Sequence, residues 1–270
     1  MNIISINIRQ LLWLGIFLFG MAMISPIANA TEAPPSFLRI LGSGNLQQPS
    51  DVAVDSTGNV YVASSSTDNN GYRVVKKFTN TGTLITSWPI VTDVAGLPGN
   101  VNLPLSIAVD ENVVYVAVGT RTAGAGNPRI EKFTLDGTPL DPLNLPVDIS
   151  QLHTVSIFGS TSDDDGQQFL SPIGIKIVGD FAYVADDFSG DIQVFNKYTG
   201  EFITKHNSGP VSVRLAGIAV DPNPSDGSLA SIYISVNNIY ATSIGVWKYA
   251  FHIIHLAQKA TSWIESKVVI

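Results

Sequence analysis

The chain has 270 residues, 45% of them hydrophobic and only 14% charged, with a net charge of −7 and no cysteine. That balance supports a globular core and excludes a disordered chain. It also excludes disulfides, iron–sulfur ligation and cysteine zinc sites, and the absence of any Lys/Arg cluster argues against a nucleic-acid partner, because phosphate binding needs a basic footprint.

The first thirty residues carry one charge, Arg9, ahead of an almost unbroken apolar run from Leu11 to Ile24, and they end in Ala28-Asn29-Ala30. A basic start, an apolar stretch and small residues around an A-x-A site predict a secretory signal peptide over 1–30, cleaved after Ala30. The expected location is secreted or periplasmic, with no stable membrane span after cleavage. Beyond a short Pro-containing leader, Phe37 to Leu41 reads as a single strand without a hairpin partner, of the kind a circular repeat array uses to close on its last unit.

A four-strand meander then begins at Pro49. Its strands are expected at Asp51–Asp55, Asn59–Ser64, Arg73–Phe78 and Thr83–Trp88, each short, β-branched or aromatic and bounded by turn residues such as Asn80-Thr81-Gly82. The pattern returns at Ser106–Asp110, Val113–Val118 and Arg129–Phe133. It returns again at Gly174–Val178, Phe181–Asp186, Asp191–Phe195 and Phe202–Lys205, and a fourth time at Ala216–Asp221, Ser231–Val236 and Gly245–Tyr249. The strands recur while the loops between them vary, which is the behaviour of a radial β-repeat in which stacked copies bury each other's faces.

The succession Pro49-Ser50-Asp51-Val52-Ala53-Val54-Asp55, Gly58-Asn59-Val60-Tyr61-Val62-Ala63, Val75-Lys76-Lys77-Phe78 and Gly82 resembles an NHL repeat, the blade unit of a class of six-bladed β-propellers. The third copy adds the typical lead-in Asp165-Gly166-Gln167-Gln168-Phe169-Leu170-Ser171-Pro172, followed by Tyr183-Val184-Ala185-Asp186. The resemblance covers roughly Phe37 to Tyr249. It implies an all-β fold, a β-propeller of NHL-type four-stranded blades over 31–249, with four blades legible out of a ring of six. The Asp that often follows the second strand survives only as Asp186, with Ser64, Val118 and Val236 at the matching positions, and the Arg that opens the third strand is matched by Arg129 alone.

Residues 250–270 resemble no blade. Ile253, Leu256, Ala257, Ala260, Trp263, Ile264 and Val268 fall at steps of three and four, which predicts a C-terminal amphipathic helix. It would cap the array, or leave open blade edges for self-association.

Few constellations carry chemistry. Asp163-Asp164-Asp165-Gly166 is the densest acidic cluster and the candidate calcium site, since calcium takes hard oxygen ligands; an EF-hand frame fails because Pro172 stands where a bidentate Glu is needed. His252 and His255, one helical turn apart, lack a nearby carboxylate. The recurrent Asp55, Asp110 and Asp221 read as turn caps. Gly124-Ala125-Gly126 lies between strands and so is no phosphate cradle. Neither a Gly-x-Ser-x-Gly elbow nor a His-Glu-x-x-His motif occurs.

The expectation is therefore a non-catalytic scaffold that binds a protein, glycan or envelope component through loops at one channel mouth: Ser65–Gly71, Gly119–Pro128 and Asp186–Gly190, with Asp186, Asp187 and Asn237 as binding residues and no obligatory cofactor. The alternative is a metal-dependent hydrolase or lactonase resembling gluconolactonase-like propellers, its divalent ion held by residues such as Asp186 and Asn237.

Overall fold

Sixteen short strands, every one of them antiparallel to its neighbours, account for the regular structure of the described residues. The computed structural model describes residues 38–68, 72–90, 102–120, 128–141, 145, 169–207, 214–223, 230–236, 245–253 and 261–264. All the strands belong to the compact unit Ile40–Ile270, which is distinct from Met1–Arg39.

The first sheet consists of β1 (Pro49–Val54), β2 (Val60–Thr67), β3 (Arg73–Phe78) and β4 (Leu84–Pro89). The second holds β5 (Leu103–Asp110), β6 (Val113–Gly119), β7 (Arg129–Thr134) and β8 (Pro139–Leu140). The third holds β9 (Pro172–Val178), β10 (Phe181–Asp186), β11 (Asp191–Asn196) and β12 (Phe202–Asn207). The fourth holds β13 (Leu215–Asp221), β14 (Ala230–Val236), β15 (Gly245–Ile253) and β16 (Thr261–Ile264). Each sheet is a plain meander with strands in chain order. β1 lies against β5, β5 against β9 and β9 against β13, and contact between sheets concentrates on their first two strands.

One irregularity marks every sheet. The pairing of the first strand with the second slips between Pro49 and Asp51, between Pro104 and Ser106, at Pro172–Gly174, and between Leu215 and Gly217. A bulge at a fixed register bends the strand and re-aims one residue. Proline suits three of these positions because it has no N–H to offer the ladder there.

The interior is apolar and fills the spaces between sheets. One cluster joins the first three sheets through Tyr61, Trp88, Ile107, Phe133, Phe169 and Phe195, all buried. A second joins the third and fourth through Tyr183, Ile192, Ile218, Ile234 and Trp247. Such clusters form because alternate residues of each strand face one neighbour, and burial at roughly 25 cal/mol per Å² supplies the main driving force.

Two expectations change. The C-terminal helix over 250–270 is not what the described part of that segment forms: residues 250–253 continue β15, and Thr261–Ile264 is β16, with Ala250 opposite Ile264 and Ile253 opposite Thr261. The run from Val246 to Ile253 is rich in β-branched and aromatic residues, so it extends a strand already paired to β14, and the edge of β15 then takes a fourth strand. Residues 38–41 form no strand either. Gly42 O accepts from Asn45 N (2.8 Å) and Leu46 N (3.1 Å), and the turn so formed sets Gly42 close against Leu46 and Phe78. Phe37 lies outside the described residues.

Candidate functional site

The second-to-third strand connections and the starts of the first strands fall at the same end of each sheet, as the meander requires. At that end of the third sheet Asp186 closes β10. It is fully buried, and its carboxylate accepts from Leu170 N (2.6 Å), Ser171 N (2.9 Å) and Ser189 N (3.3 Å). Burial pushes its pKa up to about 6, against the pull of those three N–H groups, and the neighbouring Asp191 adds to the rise. Asp186 thus ties the lead-in of its own sheet to the β10–β11 turn, and its oxygens face backbone donors.

Asp187, next in the chain, points elsewhere. Its two oxygens receive Arg214 Nε (2.8 Å) and Nη2 (2.5 Å) in a fork-shaped pair, and the Arg214 guanidinium stands 4.4 Å from the Phe188 ring centre. That pair joins the third sheet to the residue preceding β13. The Asp187 partner holds the Arg214 guanidinium above its ordinary value, so it stays charged at every working pH. Of the three residues singled out for binding, the structure therefore brings Asp186 and Asp187 to one corner with separate partners; Asn237 lies outside the described residues. Asp163, Asp164 and Asp165 lie outside them as well, as does His255. Among the described residues no group of three His, Cys, Asp or Glu side chains is placed to hold a metal ion.

The first sheet offers a concavity that the sequence did not point to. A polar cleft of about 220 Å³ lies between the lead-in and the β2–β3 end, lined by Asn45, Gln47, Ser64, Ser66, Asp68 and Lys76 among others. Its wall is braced by Ser64 Oγ (2.5 Å) and Ser66 Oγ (2.7 Å), both donating to Gln47 O, and Lys76 Nζ donates to Asn45 O. The Ser65–Gly71 loop, expected at a channel mouth, contributes Ser66, Thr67 and Asp68 to this cleft. Gln47 was missed because its loop precedes the first strand and lies apart in sequence from the β2–β3 loop, and Lys76 because it lies within a strand; the bond from Lys76 Nζ to Asn45 O shows that it meets the lead-in.

At the opposite end of the strands the recurrent acids cap turns. Asp55 accepts from Thr57 N (2.9 Å), Asn59 N (2.9 Å), Asn59 Nδ2 (3.0 Å) and Tyr61 Oη (3.0 Å). Asp221 accepts from Asn223 N (2.9 Å), whereas Asp110 receives Lys197 Nζ (2.5 Å) from the third sheet.

Residues 37–72, which span the lead-in, β1 and β2, match the family model of a β-propeller repeat. That match covers one repeat's length of the chain. The chain's four antiparallel four-stranded sheets are consistent with blades of such a repeat. No curated protein matches the chain. Similar solved structures include hydrazine synthase of Kuenenia stuttgartiensis, 13% identical over 86% of this chain and 53% of that one, with a TM-score of 0.49. The computationally designed Ika8 protein is 11% identical over 78% of this chain and 53% of that one, with a TM-score of 0.41. A candidate 6-phosphogluconolactonase from Bacteroides uniformis is 16% identical over 81% of this chain and 71% of that one, with a TM-score of 0.41. The chain thus spans about half the length of the first two.

Proposed function

We propose that this β-propeller repeat chain, of NHL type, is an exported, non-catalytic binding scaffold whose partner is a polar protein segment, glycan or envelope component. The observation that carries this reading is the cleft on the first sheet. It is lined by the side chains of Asn45, Gln47, Thr67 and Asp68, on a wall held by the bonds of Ser64, Ser66 and Lys76 to the lead-in backbone, and amide, hydroxyl and carboxylate groups are the donor and acceptor set that recognises hydroxylated or peptide-like ligands. The other acidic corner supports a scaffold over an enzyme, because Asp186 and Asp187 serve the joints between lead-in, turn and fourth sheet, and a reaction centre would need such groups converging on one substrate position.

The test is retention of the purified chain on immobilised polysaccharides and on a cell-envelope fraction, compared with Thr67→Trp, which fills the cleft. The reading expects retention of the parent chain and at least a tenfold loss in the variant. Equal retention of both removes the cleft from the account. A parallel pair of thermal melts, in calcium and in a chelator, addresses the lactonase alternative: a rise of several degrees with calcium would favour it, since a ligand bound only by the native state raises stability.

A further inference from the structure

The cleft on the first sheet is open at its rim and keeps polar groups in reserve along its sides. A Cβ on Gly44, one of its lining residues, would meet nothing within 4 Å. Asn45, Gln47 and Thr67 are exposed, and their side chains make no hydrogen bond to a described residue. Two amides and a hydroxyl therefore stand at the cleft with donors and acceptors to offer. The charged groups there are already engaged. Lys76 Nζ donates to Asn45 O, and Asp68 Oδ1 accepts from Tyr72 N (2.9 Å).

That last bond brings an aromatic residue to the same side of the sheet. β2 and β3 pair up to Thr67 opposite Arg73, and the bond from Asp68 N to Tyr72 O (2.7 Å) carries the pairing one residue further. Residues directly opposite on antiparallel strands share a face, so Tyr72 lies on the face of Asp68, a lining residue. Alternation along the strand agrees. Tyr72, Val74 and Lys76 are two apart, and the last two line the cleft. Tyr72 is 49% exposed, and among the described residues no ring or cation packs on it.

Size and position narrow the occupant. About 220 Å³ is smaller than the roughly 300–1,000 Å³ of sites that enclose a drug-sized molecule, so one ring-sized unit fills it. The strands beneath are β2 and β3, the inner pair of their sheet, so a peptide finds no free strand edge to extend there. Lys76 and Asp68 are the charged residues of the lining and oppose each other in sign, which gives an anion no advantage.

Resting on the reading of this cleft as the binding site, we propose that its ligand is a glycan that presents a neutral sugar ring. The sugar hydroxyls bond to Asn45, Gln47, Thr67 and Asp68. One C–H face of the sugar lies on Tyr72, because the face of an aromatic ring is its negative side and attracts the weakly positive C–H hydrogens.

The test is affinity electrophoresis of the purified chain in native gels that contain dextran, mannan, galactan or glycol chitin as neutral probes, or polygalacturonate as the acidic one. Tyr72→Ala and Tyr72→Phe run beside the parent and Thr67→Trp, each checked for native circular dichroism. The expected result is retardation by at least one neutral probe, a loss of about tenfold in apparent affinity for Tyr72→Ala, and near-parent binding for Tyr72→Phe, which keeps the ring. Absence of retardation by every neutral probe overturns the proposal. So does Tyr72→Ala that binds like the parent, and so does polygalacturonate that binds more tightly than every neutral probe. The two readings fail separately. If Thr67→Trp loses retention on the cell-envelope fraction while no neutral probe retards the parent, the cleft binds a protein segment and only the sugar is overturned. If Thr67→Trp changes neither retention nor retardation, the cleft itself falls, and the sugar with it.

Discussion

Two carboxylates of this chain show how burial and hydrogen bonding compete for a pKa. At Asp55 burial raises the pKa, but the donors from Thr57, Asn59 and Tyr61 together outweigh it and hold the group well below the usual carboxylate range. At Asp186 burial dominates and the group titrates at about 6. Because the folded value of Asp186 lies above the unfolded one, the folded state binds the extra proton between about pH 4 and pH 6, and this group's contribution to stability is lost as pH rises through that window. Asp186→Asn removes the dependence. In urea unfolding at pH 4, 5, 6 and 7, the stability of the variant relative to the parent should climb by on the order of 2 kcal/mol across the series, whatever the variant's absolute cost. A difference that stays flat with pH would rule out ionisation of this carboxyl as the cause. Lys132 is fully buried, and burial lowers its pKa to about 8. Here the folded state gives up its proton first, so stability gained from this group appears as pH rises from about 8 toward 10.5. Lys132→Met should abolish that rise, seen as a melting temperature of the parent that gains on the variant between pH 8 and pH 10.

Between sheets, the joints rest on close approaches that only particular residues permit. Gly137 sits in the β7–β8 turn at φ +89°, and a Cβ there would fall 2.4 Å from Trp88 Cδ2, the ring that also stacks on Phe133 at 6.0 Å. Gly137→Ala therefore meets two penalties, a disfavoured backbone conformation and a clash with a buried indole. It should cost about 2–4 kcal/mol by denaturant midpoint at constant slope, and adding Trp88→Leu should recover only part, because the backbone penalty remains. The strands that build these joints were legible in the sequence: period-two runs of valine, isoleucine and tyrosine between Gly, Asn and Asp turns put fourteen of the sixteen strands where the structure has them. The two missed elements have physical reasons. β8 is two residues long, Pro139–Leu140, too short to show a period, and β16 falls in a stretch whose apolar spacing also fits a helix until β15 offers it an edge. The lead-in misled for another reason: four apolar residues around Arg39 look like a strand, but the chain turns at Gly42, which lies against Leu46 and Phe78, and Leu41 lies against Gly82. Around the candidate site, Asp186 and Asp187 were legible as an acidic pair after a strand, whereas Arg214 and Lys76 were not, since sequence spacing carries no information about which neighbouring sheet or segment a side chain meets.

Across the molecule, the two apolar clusters divide the array unequally. The first links three sheets, and the second attaches the fourth sheet to the third. In an array whose stability is a sum of sheets and nearest-neighbour joints, a terminal sheet with one joint opens at lower free energy than an internal sheet with two. The first sheet is reinforced beyond its single joint by the lead-in, through Ser64 and Ser66 on Gln47 O and Ser65 N on Gln48 O (3.1 Å). The fourth sheet should therefore be the first to open. Native-state hydrogen exchange should show β13–β15 exchanging through a sub-global opening while β5–β7 and β9–β11 exchange only with global unfolding; uniform protection across all four sheets would show a single cooperative unit instead.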